Sequence, residues 1–243
     1  MDFDQWVISR LRTHGAYAGV VDGVAGRQMV AGLKRFQTAS GLKPTGLADE
    51  ETVGLLRKDP QKPDSPLTIF SAGAVPIPAE PVWMREARRF MGLKEVTGAA
   101  SNGTILGWAK RLGGWVAGFY TNDDIPWCGL AVAHWISFTL PSEPLPANYL
   151  SALAWAKFGR QLEAPVLGAV LVFKRPGGGH VGLYVGEDAS HFHVLGGNQS
   201  NSVSVTRIAK DRLEAIRWPA TGGMPAGGRV ALTASGAVSR NEA

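Results

Sequence analysis

A lone cysteine, a histidine that follows a glycine-rich turn and an amide-bearing turn beyond it are the groups here whose types suit nucleophilic chemistry. Cys128 lies in Asp123-Asp124-Ile125-Pro126-Trp127-Cys128-Gly129-Leu130, where Asp123 or Asp124 can cap a helix that Pro126 helps to start. A thiol in the first helical turn meets unpaired backbone N–H groups and the positive end of the helix dipole, so a stabilised thiolate is expected. A lone cysteine is by default a small buried apolar residue. Its position at a helix start is what argues for a nucleophile.

Such a thiol needs a base. Gly177-Gly178-Gly179-His180-Val181-Gly182-Leu183-Tyr184 offers His180 at the start of a strand, with Gly182 and Tyr184 on its face and Val181 and Leu183 on the other. Further on, Leu195-Gly196-Gly197-Asn198-Gln199-Ser200 ends the next strand. Asn198 is the first choice to accept the far N–H of His180 and complete a Cys-His-Asn arrangement, with Gln199 and His193 as rivals. Asn198 would otherwise serve as a left-handed turn residue. Trp127, Asp124, Gln199 and Tyr184 are the candidates to line a substrate groove, although a tryptophan beside a helix start is more usually core.

The elements that must position these groups follow from periodicity. Helices are expected at 82–91, 102–111, 127–140 and 149–158, then strands at 168–174, 180–187, 191–196, 201–207 and 213–218. Helices first and antiparallel strands afterwards indicate an α+β domain over residues 81–219. Residues 1–58 read as a small three-helix bundle, with Trp6, Val7 and Leu11, then Val30, Leu33 and Phe36 at helical spacing. A third helix starts at the N-cap Asp49, with Val53, Leu55 and Leu56 inward. Proline-containing residues 59–80 read as a linker, and Gly/Ala/Ser-rich residues 220–243 as a flexible tail.

Composition bounds the rest. The 243 residues are 45% apolar and carry 25 Lys and Arg against 20 Asp and Glu, a net charge of +5 that favours a polyanionic partner. Basic residues are scattered and no nucleic-acid-binding signature occurs, so no nucleic-acid partner is expected. A single cysteine excludes an internal disulfide. No stretch has transmembrane length, and the acidic N-terminus is unlike a signal peptide. The expectation is therefore a monomer made in the cytoplasm, without cofactor or stable membrane insertion.

Leu11, Gly15, Tyr17, Gly19, Val21-Asp22-Gly23, Gly26, Val30, Phe36-Gln37, Gly41-Leu42, Thr45-Gly46, Asp49, Thr52 and Leu55 together resemble the peptidoglycan-binding domain 1 family, with Met29 where that family usually has a small polar residue. This resemblance implies bacterial peptidoglycan as partner and Tyr17, Asp22 and Gln37 as binding residues. Glu95, Asn102, Pro126-Trp127-Cys128, Gly179-His180-Val181-Gly182, Leu195 to Ser200 and Arg217-Trp218-Pro219 resemble cysteine peptidases and amidases of the NlpC/P60 and CHAP type. Gly129 stands where those proteins often have Ser or Ala. That second resemblance implies a papain-like domain that hydrolyses an amide bond of peptidoglycan, as in a phage or prophage endolysin acting on the wall after release.

Two other chemistries fit some of the residues. A zinc amidase would use His191 and His193 with His180 and Cys128, although no His-Glu-x-x-His framework is present. A non-catalytic wall-binding protein would keep the hydrolase fold with an inert thiol.

Overall fold

The computed structural model describes residues 3–17, 27–58, 80–98, 100–225, 228–232 and 238. The chain divides into two compact units, Met1–Glu80 and Pro81–Ala243. The proposed linker falls outside the described residues except for Glu80.

In the first unit, α1 (Phe3–Thr13) packs against both α2 (Arg27–Ala39) and α3 (Glu50–Leu56). Trp6, Val7, Leu11, Met29, Leu33, Phe36, Val53 and Leu56 are buried together in its core. Asp49 caps α3 by accepting the Thr52 N–H at 2.8 Å. At the other end of α3, the Arg10 guanidinium donates to the carbonyls of Leu56 (2.7 Å) and Lys58 (2.6 Å), which the helix leaves without partners. Thr52, rather than Leu55, joins Val53 and Leu56 on the buried face, because Thr52 meets the interior amide of Gln37 at 2.9 Å.

The second unit is a mixed helical and antiparallel-sheet structure, as an α+β chain should be. It opens with α4 (Val82–Arg89), α5 (Gly103–Leu112), α6 (Gly114–Phe119) and α7 (Cys128–Thr139). Six strands follow: β1 (Arg160–Gln161), β2 (Val170–Arg175), β3 (Gly178–Glu187), β4 (His191–Gly196), β5 (Ser204–Ala209) and β6 (Leu213–Trp218). They lie in the order β1-β6-β2-β3-β4-β5, and every pair is antiparallel. Cys128 to Ile136 of α7 are all buried, so most of this uncharged helix is enclosed, against α4, α5 and β3, and only its last turn reaches the surface at Phe138. Among the described residues, no helix is long and apolar enough to cross a membrane.

Three expectations need correction. The helix expected at 149–158 is only a 3-10 turn at Ala152–Lys157, because the carbonyls of Tyr149 and Leu150 are turned against α7 at Gly129 and Tyr149 O also takes the Trp155 indole N–H at 2.9 Å. The strand expected at 201–207 starts later, at Ser204, since Asn198, Ser200 and Asn201 adopt left-handed backbone and hold the chain in a tight loop. The segment read as a free tail is docked where it is described. Glu187 exchanges backbone hydrogen bonds with Val230 and Leu232 (2.8 Å each), its carboxylate takes Arg229 at 3.2 Å, and Tyr184 Oη accepts the Val230 N–H at 3.0 Å.

His134 of α7 fixes an expected pH dependence. Its ring stacks on Trp108 of α5 at 5.2 Å and on Phe138 at 5.7 Å, and it is 4% exposed. Glu86 of α4 is 3.9 Å away, beyond hydrogen-bonding range. Burial, aided by the Arg111 charge, pushes its pKa down from 6.5 to about 4. The unfolded chain therefore binds a proton that the fold refuses between these values. Stability should fall as pH drops through that window, by about 3 kcal/mol in all, with no contribution from this group above it. Denaturant titrations at pH 7 and pH 4 check this: His134→Phe should flatten the difference, and an unchanged slope would refute the assignment.

Candidate active site

Cys128 is the first residue of α7, as its sequence position suggests, but neither Asp123 nor Asp124 caps that helix. The N-cap is Trp127, which makes no side-chain capping bond. The sulfur faces the backbone N–H groups of Val181 on β3, of Gly129 and of Cys128 itself, and the charge of Arg175 at the end of β2 reaches it. Burial is nevertheless the largest influence: with Cys128 only 7% exposed, desolvation pushes the thiol pKa up against the favourable dipoles and Arg175. The expected stabilised thiolate is therefore corrected to a resting thiol. Beside it, Tyr120 donates its hydroxyl to Pro126 O; burial, then the nearby Cys128, raises the phenol above its usual range.

Gly129 explains how the helix start comes so close to its neighbours. A Cβ there would run into the carbonyl oxygens of Tyr149 and Leu150, the latter at 2.7 Å. The helix end and the 149–150 backbone can pack this tightly only without a side chain. Gly182, on the same face as His180, admits β4: a Cβ at 182 would lie 2.9 Å from Leu195 O.

His180 is fully buried near the start of β3, adjacent in the chain to the Val181 N–H that faces the sulfur. Its Nε2 lies 3.1 Å from Oε1 of Gln199. Gln199 is itself fully buried, and its amide nitrogen donates to the carbonyls of Val194 (3.2 Å), Gly196 (3.3 Å) and Ser204, while Oε1 also accepts from Thr206 at 2.9 Å. Those contacts fix which end of the amide faces the ring. An acceptor at Nε2 requires Nε2 to carry the proton, leaving Nδ1 as the basic nitrogen.

Gln199, not Asn198, is thus the residue on the imidazole. Asn198 sits one residue earlier with φ 57°, which turns its side chain elsewhere, and its Oδ1 has no hydrogen-bond partner among the described residues. Its role is the left-handed turn. His193 is also removed from the site: its Nε2 binds Asp188 at 3.0 Å, in a cluster with Arg207, whose Nε meets the same carboxylate oxygen at 2.8 Å.

Other expected groove residues act as braces. Trp127 is fully buried; its Nε1 donates to Glu95 at 2.6 Å, and its ring lies where a Cβ on Gly197 would be, 2.6 Å away. Burial raises the pKa of Glu95, the Trp127 bond opposes this, and Asp123 and Asp124 add to the rise. Asp124 is exposed near Glu95, whereas buried Asp123 accepts the N–H groups of Val96 (2.9 Å) and Asn102 (2.8 Å). Asn102 in turn caps α5 through Thr104 N–H at 2.9 Å. Residues 92–95 pair with the Gln199 loop: Gly92 N–H donates to Val203 O (2.8 Å), Val203 N–H to Leu93 O (2.8 Å) and Glu95 N–H to Asn201 O (3.0 Å). Tyr184 lies four residues along β3 from His180, roughly 13 Å away, and its hydroxyl bonds Glu187 at 3.3 Å. It does not join the site.

Tyr120, Glu95 and Arg175 were not assigned roles beside the thiol from sequence. Tyr120 carries no motif of its own, and Glu95 is separated from Trp127 by 32 positions. In the first unit, Tyr17 is buried with its hydroxyl 3.4 Å from Gln28 Oε1. Gln37 is 1% exposed; its amide donates to Thr45, Leu47 and Thr52 at 2.9 Å each and accepts Gly46 N–H at 2.8 Å. It braces the 45–52 segment instead of meeting ligand. Asp22 lies outside the described residues. Among those residues, no group of three or more His, Cys, Asp or Glu side chains could hold a metal ion.

Neither a curated protein nor a solved structure matches the chain. Residues 5–56 match the family model described as "Putative peptidoglycan binding domain", which covers α1 to α3. Over α1 to α3 the first unit is therefore similar to peptidoglycan-binding domains.

Proposed function

We propose that the chain is a peptidoglycan hydrolase: a three-helix bundle that holds the polymer, joined to a papain-like cysteine hydrolase that cuts an amide bond. The observation that carries this reading is the meeting of the α7 N-terminus with β3, where the Cys128 sulfur faces Val181 N–H beside a His180 whose Nε2 is held by Gln199.

In this mechanism Nδ1 of His180 takes the thiol proton as substrate arrives. Sulfur attacks the amide carbonyl carbon, and a C–S bond forms. The backbone N–H groups at the helix start are available to the oxyanion. Collapse breaks the C–N bond, and the imidazolium returns its proton to the departing amine. Water, deprotonated by His180, then attacks the thioester, releasing the carboxylate and restoring the thiol. Because the resting thiol is uncharged, proton transfer to His180 belongs to the attack step. A phage or prophage endolysin of the NlpC/P60 or CHAP type fits this chemistry.

A second reading has its own support. Burial that raises the thiol pKa is also what an inert structural cysteine shows, as in a wall-binding protein with no hydrolytic activity. Incubating the full chain with purified sacculi and analysing released fragments by mass spectrometry separates the two. New carboxyl and amino ends, lost after thiol alkylation and retained in EDTA, are expected. Binding without new ends would favour the inert protein, and loss in EDTA alone would favour the zinc amidase.

A further inference from the structure

Helix α6, Gly-Trp-Val-Ala-Gly-Phe, inverts the usual arrangement of a surface helix. Val116 is fully buried, whereas its two largest side chains, Trp115 and Phe119, are 53% and 51% exposed. They are spaced to share one helical face, and their ring centroids are 5.7 Å apart. Tyr149 extends the surface, with its ring 6.3 Å from Trp115 and tilted by 34°. A Cβ on Gly118 would meet nothing within 4 Å, and Gly118 has no positive φ. Neither packing nor backbone conformation requires a glycine there, and in a helix it costs about 1 kcal/mol relative to alanine. Its effect is to keep the ground beside the two rings bare.

This platform is continuous with the candidate active site at both ends. Phe119 packs on Tyr120 at 5.8 Å, and Tyr120 binds Pro126 O beside Cys128. At the other end, the backbone of Tyr149 abuts Gly129, the residue after the thiol. A polymer whose amide reached the sulfur would pass over these rings.

We propose that Trp115, Phe119 and Tyr149 form a subsite for the sugar rings of the peptidoglycan glycan strand, next to the thiol. The inference rests on the proposed hydrolase reading for its purpose, since a stem peptide entering the site brings its attached sugar with it. Pyranose rings offer flat faces of C–H groups that pack on aromatic rings, while their hydroxyls stay in water. Two half-exposed rings suit a contact of that size and are far below the roughly 800 Å² per partner of a stable protein interface. A bilayer surface is the less fitting occupant, because α6 has six residues and none is charged, whereas interfacial helices carry Lys or Arg on a polar face.

The test uses the full chain labelled with 5-fluorotryptophan, with the Trp115 signal identified by its loss in Trp115→Phe. The titrants are a peptide-free tetrasaccharide of alternating N-acetylglucosamine and N-acetylmuramic acid, a sugar-free stem tetrapeptide, and phosphatidylglycerol vesicles. A saturable shift of the Trp115 resonance with the tetrasaccharide alone is expected, weakened at least fivefold in Phe119→Ala. No shift with the tetrasaccharide, a shift only with vesicles, or one that follows protein concentration without ligand would overturn the subsite. Hydrolysis of sacculi by the unlabelled chain is measured in parallel. A glycan-dependent shift without hydrolysis sinks the hydrolase and keeps the subsite, whereas hydrolysis without the shift sinks the subsite alone.

Discussion

Cys128→Ser is expected to lower hydrolysis of purified peptidoglycan by about 10³-fold or more, with folding and wall binding retained. The hydroxyl oxygen would occupy nearly the same volume at the start of α7, but it is far less acidic than a thiol and is buried as deeply. In the proposed mechanism the dipoles of Val181, Gly129 and residue 128 assist a thiolate that His180 generates, and they cannot make an alkoxide accessible near neutral pH. A linked expectation concerns pH. Because burial holds the thiol pKa above its ordinary value, iodoacetamide should modify Cys128 more slowly at pH 7 than it modifies free cysteine, and the rate should climb into the alkaline range. Lysis of sacculi at undiminished rate by Cys128→Ser would remove the nucleophile from the mechanism.

Two neighbouring residues should separate sharply. Gln199→Leu is expected to reduce kcat by roughly 10²-fold with little change in KM, because Gln199 touches the imidazole and not the substrate. The same change withdraws a donor from two buried carbonyls and a half-buried one, so a lower melting temperature is also expected. Loss of stability alone would not alter how kcat depends on pH, whereas a ring freed to change tautomer should shift that profile. Asn198→Gly should leave kcat within about threefold, since glycine adopts its left-handed backbone with ease. If Asn198→Gly were the crippled variant and Gln199→Leu the active one, the assignment of the third residue would be reversed.

The contrast between these two residues shows what could be read in the chain alone. A continuous apolar run at 170–173 and period-two alternation from His180 to Val185 marked strands, and residue type and context marked Cys128 and His180, because each signal is local. Choosing between Asn198 and Gln199 required knowing that residue 198 has φ 57°, since a single turn residue decides which of two consecutive amides points inward. The thiol pKa was misjudged for a related reason: the helix start is visible in sequence, but segments that pack against it, at Tyr149 and Val181, lie far along the chain. Likewise, Gly129 looked like a mild departure, and only the carbonyls of Tyr149 and Leu150 show why a side chain does not fit. The family resemblance implied Gln37 as a binding residue and position beside the thiol made Trp127 a groove candidate, yet buried polar groups commonly serve as internal fasteners.

The pairing of residues 92–95 with residues 201–203 has a practical corollary for anyone seeking a smaller working piece of the protein. One partner lies upstream of the sulfur and the other downstream of the imidazole, like the two halves of a buckle closed around everything between. A fragment that starts after Glu95 or stops before Asn201 discards one side of the buckle, so the second unit is indivisible across that interval. Trimming must be confined to its outer ends.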